Sequence, residues 1–367
     1  MPQPPEFAST TMLSYTELAR KYKSTYRGAL VDLLVHMCLF AGGSWLMSHL
    51  WRAGSWWSAV AVPLVGLMNV KTFIIFHDCG HNSFTPNRTL NTVIGIVAGI
   101  FVATPFSWNF NHNTHHLTNG NYENKYEFRY NETILHSLEE YKRMSPMQRR
   151  LYRFFKHPFV FFTFGPITKF LLIERFRAVR LLLSATKKLS VKNRQAFTVI
   201  ESVINNAGIA AWFYFLHTHE VLLPFMIGNM IGSSCGVMLF HSQHGFNPSY
   251  VVDDKTWTKK DNGLLGSSFV LVPPLFKYFT GGIEYHHIHH MNAKIPGYNL
   301  QKYHEEVVAD SDRFDKVVML SFGECYNNFW LTLHDDDAKR YVTFKEADQV
   351  ILQSEVLALP QERQKGD

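Results

Sequence analysis

Tyr285-His286-His287-Ile288-His289-His290-Met291 places four histidines within five positions. Imidazole is a strong ligand for first-row transition metals. A helix advances about 100° per residue, so His286, His289 and His290 share one face. Two other segments carry the same theme. His77-Asp78-Cys79-Gly80-His81 sets histidines at i and i+4, and His112-Asn113-Thr114-His115-His116 sets three at HxxHH spacing. In the last segment the sets 286/289/290 and 286/287/290 each cover about 100° of a helix, and geometry does not choose between them. The second segment has Asn113 where the third has His287, in the same HxxHH frame. His286, His289 and His290 are therefore taken as ligands. His287 is expected behind them or at the surface, and Asp78 and Glu284 adjoin ligands as possible carboxylate partners. If the three patches share one site, the apolar runs between them must each return the chain to the same side of a membrane.

That requirement decides the fold. The 367 residues have a mean hydropathy of −0.10, but the average conceals long apolar runs. Ala29–Leu50, Ser58–Phe76, Phe197–Leu216 and Val221–Phe240 are each close to the roughly 20 residues a spanning helix needs. They pair as two hairpins, and Trp45, Trp51, Trp56 and Trp57 bracket the first turn as an interfacial belt. A fifth run, Leu90–Trp108, would put His77 and His112 on opposite sides if it crossed once. A re-entrant or interfacial hairpin is expected instead, helped by Gly95, Gly99 and Pro105. The expected fold is all-α: an integral membrane protein with four transmembrane helices in two hairpins plus a cytosolic helical cap. It comprises an N-terminal cytosolic segment (1–28), the first hairpin (29–76), a cytosolic or interfacial region with the first two boxes (77–195), the second hairpin (196–244) and a cap with the third box (245–367). All form one domain.

The net charge is +6 and the pI about 9.0. The basic residues flank apolar runs and no nucleic-acid module is recognisable, so nucleic acid is not an expected partner. Arg175, Arg177, Arg180, Lys187, Lys188, Lys192 and Arg194 precede the second hairpin, which places that loop, all boxes and both termini in the cytosol. On that topology the sequons at Asn87 and Asn131 carry no glycan. Lys71 is expected to snorkel to the interface, and Phe154–Ile173, broken by prolines, to lie in it. Ser14-x-x-Glu17 reads as a capping box opening a short basic helix, on the membrane surface or in solvent. Glu201, Asn205 and Asn206 sit inside a span, where polar groups more often join helices than do chemistry. The residues up to about Tyr26 lack a short apolar core, so the first span is expected to act as signal-anchor. Four scattered cysteines are consistent with a reducing compartment.

The candidate ligands are His77, His81, His112, His115, His116, His286, His289 and His290, with His244 at the end of the second hairpin as a ninth. One tetrahedral zinc takes four. Eight or nine imidazoles suit two metal ions with open positions, and nitrogen ligation suits iron handling O2 better than magnesium or calcium. Such a pair, given two external electrons, can abstract hydrogen from an unactivated alkyl chain reaching it through an apolar tunnel. A metal transporter would hold its ligands near mid-membrane; here they lie past the ends of spans.

At these residues the chain resembles the membrane-bound fatty acid desaturases, and within them the acyl-lipid Δ12/ω-3 group. HDCGHNSF (77–84) and HNTHHLTNGNYE (112–123) are similar to the first two boxes, and GGIEYHHIHHMNAKIPGY (281–298) to the third box of bacterial-type members. The similarity runs from about Ser58 to Leu300. It implies four spanning helices, a cytosolic di-iron centre, O2 dependence and insertion of a cis double bond in a membrane lipid acyl chain. His244 matches the family's additional ligand. No cytochrome-b5-like HPGG motif and no GxGxxG motif are present, so the electrons would come from a separate carrier, cytochrome b5 or ferredoxin. The resemblance implies the endoplasmic reticulum membrane in a eukaryote, and the plasma or thylakoid membrane in a bacterium. Hydroxylases and carotenoid oxygenases share similar boxes, which speak for the oxidant rather than the product.

Overall fold

A computed structural model describes residues 14–121, 135–183, 192–310 and 312–357; Lys187, Lys188 and the Asn131 sequon lie outside them. Among the described residues four helices are long and apolar enough to cross a membrane: α2 (Tyr26–Arg52), α3 (Ser58–Gly80), α8 (Lys192–Thr218) and α9 (Leu222–His244). They pair in sequence as the expected hairpins. Preceding them is α1 (Tyr15–Lys21), and between the hairpins lie α4 (Arg88–Phe101), α5 (Asn109–Thr118), α6 (Pro146–Lys156) and α7 (Pro158–Pro166). The cap contains α10 (Lys259–Leu265), α11 (His286–Met291) and α12 (Gly297–Asp310).

The axis of the membrane region is the α3–α9 pair. A Cβ on Gly66 would lie 1.9 Å from the Gly228 carbonyl oxygen, and one on Gly232 would lie 2.0 Å from that of Gly66. Gly228-x-x-x-Gly232 thus lets the two backbones touch. Both helices run on toward the histidines, α3 to His77 and α9 to His244.

The Leu90–Trp108 run does not cross once. α4 and the segment Phe106–Thr118 are bent by 107° to each other. The turn strands backbone groups in apolar surroundings, where they need partners. Glu201 accepts from the Phe106 and Ser107 N–H groups at 2.5 and 3.3 Å, and Asn205 Nδ2 donates to the Thr104 carbonyl at 3.3 Å. Arg175 donates to the Ala103 carbonyl and to the side-chain oxygens of Asn205 and Asn206. The three span polars therefore join helices, as expected, and Arg175 of the basic run is turned inward to meet them.

Two further expectations are corrected. Lys71 does not snorkel: it is buried, and its Nζ donates to Asp32 Oδ1 of α2 at 2.9 Å. Neither charge is tolerated alone in an apolar setting, and each finds its counterion on the adjacent helix. The Ser14–Glu17 capping box forms, but α1 lies on the cap. Leu18 is buried with Tyr303 and Val307, and Lys21 donates to Glu306 at 2.5 Å.

Short strands supplement the helices. β1 (His136–Ser137) pairs with β4 (Leu333–Asp335), which pairs with β5 (Arg340–Val342); β2 (Phe269–Val270) pairs with β3 (Met319–Leu320). At two or three residues each, they are too short to show an alternating pattern. β2 places the last box: Phe269 bridges Tyr285, and the Val270 N–H donates to the Glu284 carbonyl at 3.3 Å. Gly281 and Gly282, at φ +59° and +88°, reverse the chain just before it.

Candidate metal centre

α3, α5, α9 and α11 deliver all nine expected ligands to one place. His77, His81, His112, His116 and His289 form one group and His115, His244 and His290 a second; within each, one nitrogen from every ring lies within 4.8 Å of the others. His286 joins the second through Nε2, 2.9 Å from His244 Nε2. Other Nε2–Nε2 separations are 2.8 Å for His77–His112, 3.1 Å for His116–His289 and 3.1 Å for His115–His244. Two imidazole nitrogens bound at right angles to one ion at about 2.1 Å would lie about 3.0 Å apart.

The rings are held from behind. His77 Nδ1 donates to Asp78 Oδ1 at 3.1 Å, because a carboxylate can only accept, and Nε2 keeps its lone pair. Asp78 is itself fixed by the Gly297 N–H, 2.7 Å from Oδ2. His244 Nδ1 donates to the Gly266 carbonyl at 3.0 Å, which likewise leaves Nε2 toward the group. Trp108 stacks on His112 at 4.9 Å. Burial first, and then the neighbouring histidines, hold the imidazoles of His81, His286, His289 and His290 well below the usual histidine range. They are neutral at pH 7 and offer lone pairs. His81 Nε2 and His290 Nε2 are buried with no hydrogen-bond partner, a costly state that a cation would relieve. Five nitrogens in one group exceed what tetrahedral zinc takes, so the donors fit iron.

The residues expected to support the ligands differ. Asp78 touches His77 directly. Glu284 is buried and accepts from the Thr280 hydroxyl at 2.6 Å rather than from an imidazole; burial pushes its carboxyl up. His287 points away from both groups, with Nε2 3.3 Å from His304 Nδ1 and its ring against Phe314. His241, left out of the ligand set, packs between Phe161, Phe162 and Phe329.

Two residues were not singled out from sequence. Asn119 Nδ2 lies 3.3 Å from His244 Nδ1 and donates to Asn262 Oδ1 at 2.8 Å; Asn262 Nδ2 lies 3.4 Å from His290 Nδ1. Asn119 closes the second box and was available to inspection. Asn262 sits in α10 with no local signal.

Residues 54–321 match the sequence profile of the fatty acid desaturase family. The chain belongs to this family. A protein of Bacillus subtilis (strain 168) named "Fatty acid desaturase" is 29% identical over 320 residues, covering 87% of this chain and 86% of that one. The desaturase is thus an oxidoreductase of the membrane, with a buried histidine cluster able to bind metal.

The desaturase also holds an apolar cavity of about 270 Å³ beside the cluster. His77, His112 and His286 form its inner wall. Phe73 and Ile74 of α3, Phe240 of α9 and Phe170 line its sides. The stretch Phe154–Ile173, expected only as an interfacial segment, contributes Phe161, Gly165 and Phe170 to this wall.

Proposed function

We propose that the desaturase inserts a cis double bond, of Δ12 or ω-3 type, into a lipid-linked acyl chain in an O2-dependent reaction. His77, His81, His112, His116 and His289 would hold one iron, and His115, His244, His286 and His290 the other. Such an iron pair supplies the oxidising power: O2, two electrons and two protons accept the two hydrogens removed from –CH2–CH2–, giving –CH=CH– and two waters. The chain's own residues do the rest. The apolar walls exclude water and hold the alkyl chain against His77, His112 and His286. Asp78 and the Gly266 carbonyl keep the Nδ1 protons of His77 and His244, so their Nε2 atoms face the site. The electrons come from a separate cytochrome b5 or ferredoxin carrier. The cluster and both termini face the cytosol, in the endoplasmic reticulum membrane of a eukaryote or the plasma or thylakoid membrane of a bacterium.

One observation carries this reading: three of the clustered histidines line the apolar cavity. The boxes support the oxidant, and the cavity supports an alkyl substrate. The test is expression in a host lacking polyunsaturated lipids, with location of double bonds in the fatty acids and metal analysis of the purified protein. New cis double bonds and two irons per chain are expected. A hydroxylated product would reassign the reaction, and a protein active with zinc alone would remove the iron pair.

A further inference from the structure

The floor of the cavity is polar. Its outermost lining residue on α3 is Asn69, and on α9 Asn229 lies among the outermost, with Met226 beneath it. Asn69 Nδ2 donates to Asn229 Oδ1 and lies 3.5 Å from the Phe101 carbonyl. Asn69 is 6% exposed, and its Oδ1 is buried with no hydrogen-bond partner. Most of the other lining side chains are apolar, with Phe73, Ile74, Phe170 and Phe240 among them, so a hydrogen-bonded amide pair here calls for a reason. The next turn supplies the context. Three residues before Asn69 and one before Asn229, Gly66 and Gly228 bring the two backbones into contact. The amide pair therefore stands next to the glycine contact, at the end of the α3 lining farthest from His77.

We propose that the Asn69–Asn229 pair is the stop for the methyl end of the acyl chain and so determines which carbon–carbon bond faces the histidines. The inference rests on the acyl-desaturase reading above. An alkyl chain advancing past the pair would have to separate the hydrogen-bonded amides and leave both unsatisfied in an apolar site. Beyond them it would meet the glycine contact, which has no room for a methylene. Asn69 precedes His77 by eight residues, about 12 Å along α3, so the stop acts on the chain segment beyond the reacting carbons. Counting from the methyl end follows from this placement. The headgroup stays outside and imposes no length of its own.

The test compares Asn69→Ala, Asn229→Ala and Asn229→Leu with the parent and with Ser234→Ala, a change on α9 outside the cavity lining. Fatty acids of the host are analysed for chain length and double-bond position, alongside iron content and thermal melting of the purified proteins. The Ala variants are expected to raise several-fold the share of products with the double bond one or two carbons farther from the methyl end. Asn229→Leu, which keeps bulk, is expected to shift the share less, and Ser234→Ala not at all. Iron-loaded Ala variants with the parent product pattern, whatever their melting temperature, would reduce the pair to a helix contact and overturn the proposal. A second measurement needs no variant. A palmitoyl chain with a terminal diazirine, photolysed in the parent protein, is expected to label Asn69–Phe73 or Met226–Met230, and labelling confined to other segments overturns the stop. A parent protein that makes no double bond at all defeats the desaturase reading instead, so the two failures are distinct.

Discussion

The histidine cluster and the clamp around Glu201 are both buried and polar, and both serve the ends of apolar helices. They are completed differently. In the clamp, the Glu201 carboxylate takes two backbone N–H groups, and Arg175 spreads its donors over Ala103, Phe170, Asn205 and Asn206. Most of its polar groups are paired within the chain, Arg175 Nε and Ser107 Oγ excepted, and it holds the α4–α5 bend. In the cluster, neutral imidazoles converge on one another, and His81 and His290 keep buried nitrogens without partners. A buried polar group built for structure finds its partners inside the chain. One built for chemistry is finished by something from outside.

The comparison can be broken at either pole. The largest effect is expected from His289→Ala: desaturation falls to the level of membranes without the protein and bound iron drops, while membrane insertion persists. Product analysis and metal analysis check this, and retained double-bond formation would remove His289 from the ligands. Glu201→Ala should act through the fold. Losing a buried acceptor for two backbone donors should cost about 2–3 kcal/mol, seen as a lower melting temperature in detergent, with partial recovery in Glu201→Gln. A normal melt with lost activity would show that the clamp belongs to the chemistry.

Asp78→Asn sharpens the boundary between the two poles. The amide oxygen can still accept from His77 Nδ1 but carries no charge, so metal retention against a chelator should weaken about 10–100-fold. The smallest effect is expected from His287→Leu. That ring packs on His304 and Phe314, away from both groups, and the variant should keep its iron and stay within a few-fold of parental activity. Loss of an iron would make His287 a ligand.

Much of the site was legible because its signals are local. HxxxH and HxxHH put rings on one helix face whatever surrounds them. Asn113 opposite His287 in the two HxxHH frames was enough to set His287 apart, and the structure places it on the far side of α11. The two hairpins followed from run length, and the bend after α4 from the requirement that His77 and His112 meet. Lys71 was misjudged because charge near a span end reads as solvated unless a partner such as Asp32, 39 residues away, is known to stand beside it.

Sequence by itself therefore determined which side chains could bind metal and how many helices could span, since both depend on periodicity and length over a few turns. Only the tertiary structure decided how nine histidines divide into two groups, that Asn262 supports them, and where the cavity closes at Asn69 and Asn229. Those are contacts between segments far apart in the chain, made when glycines let α3 and α9 touch.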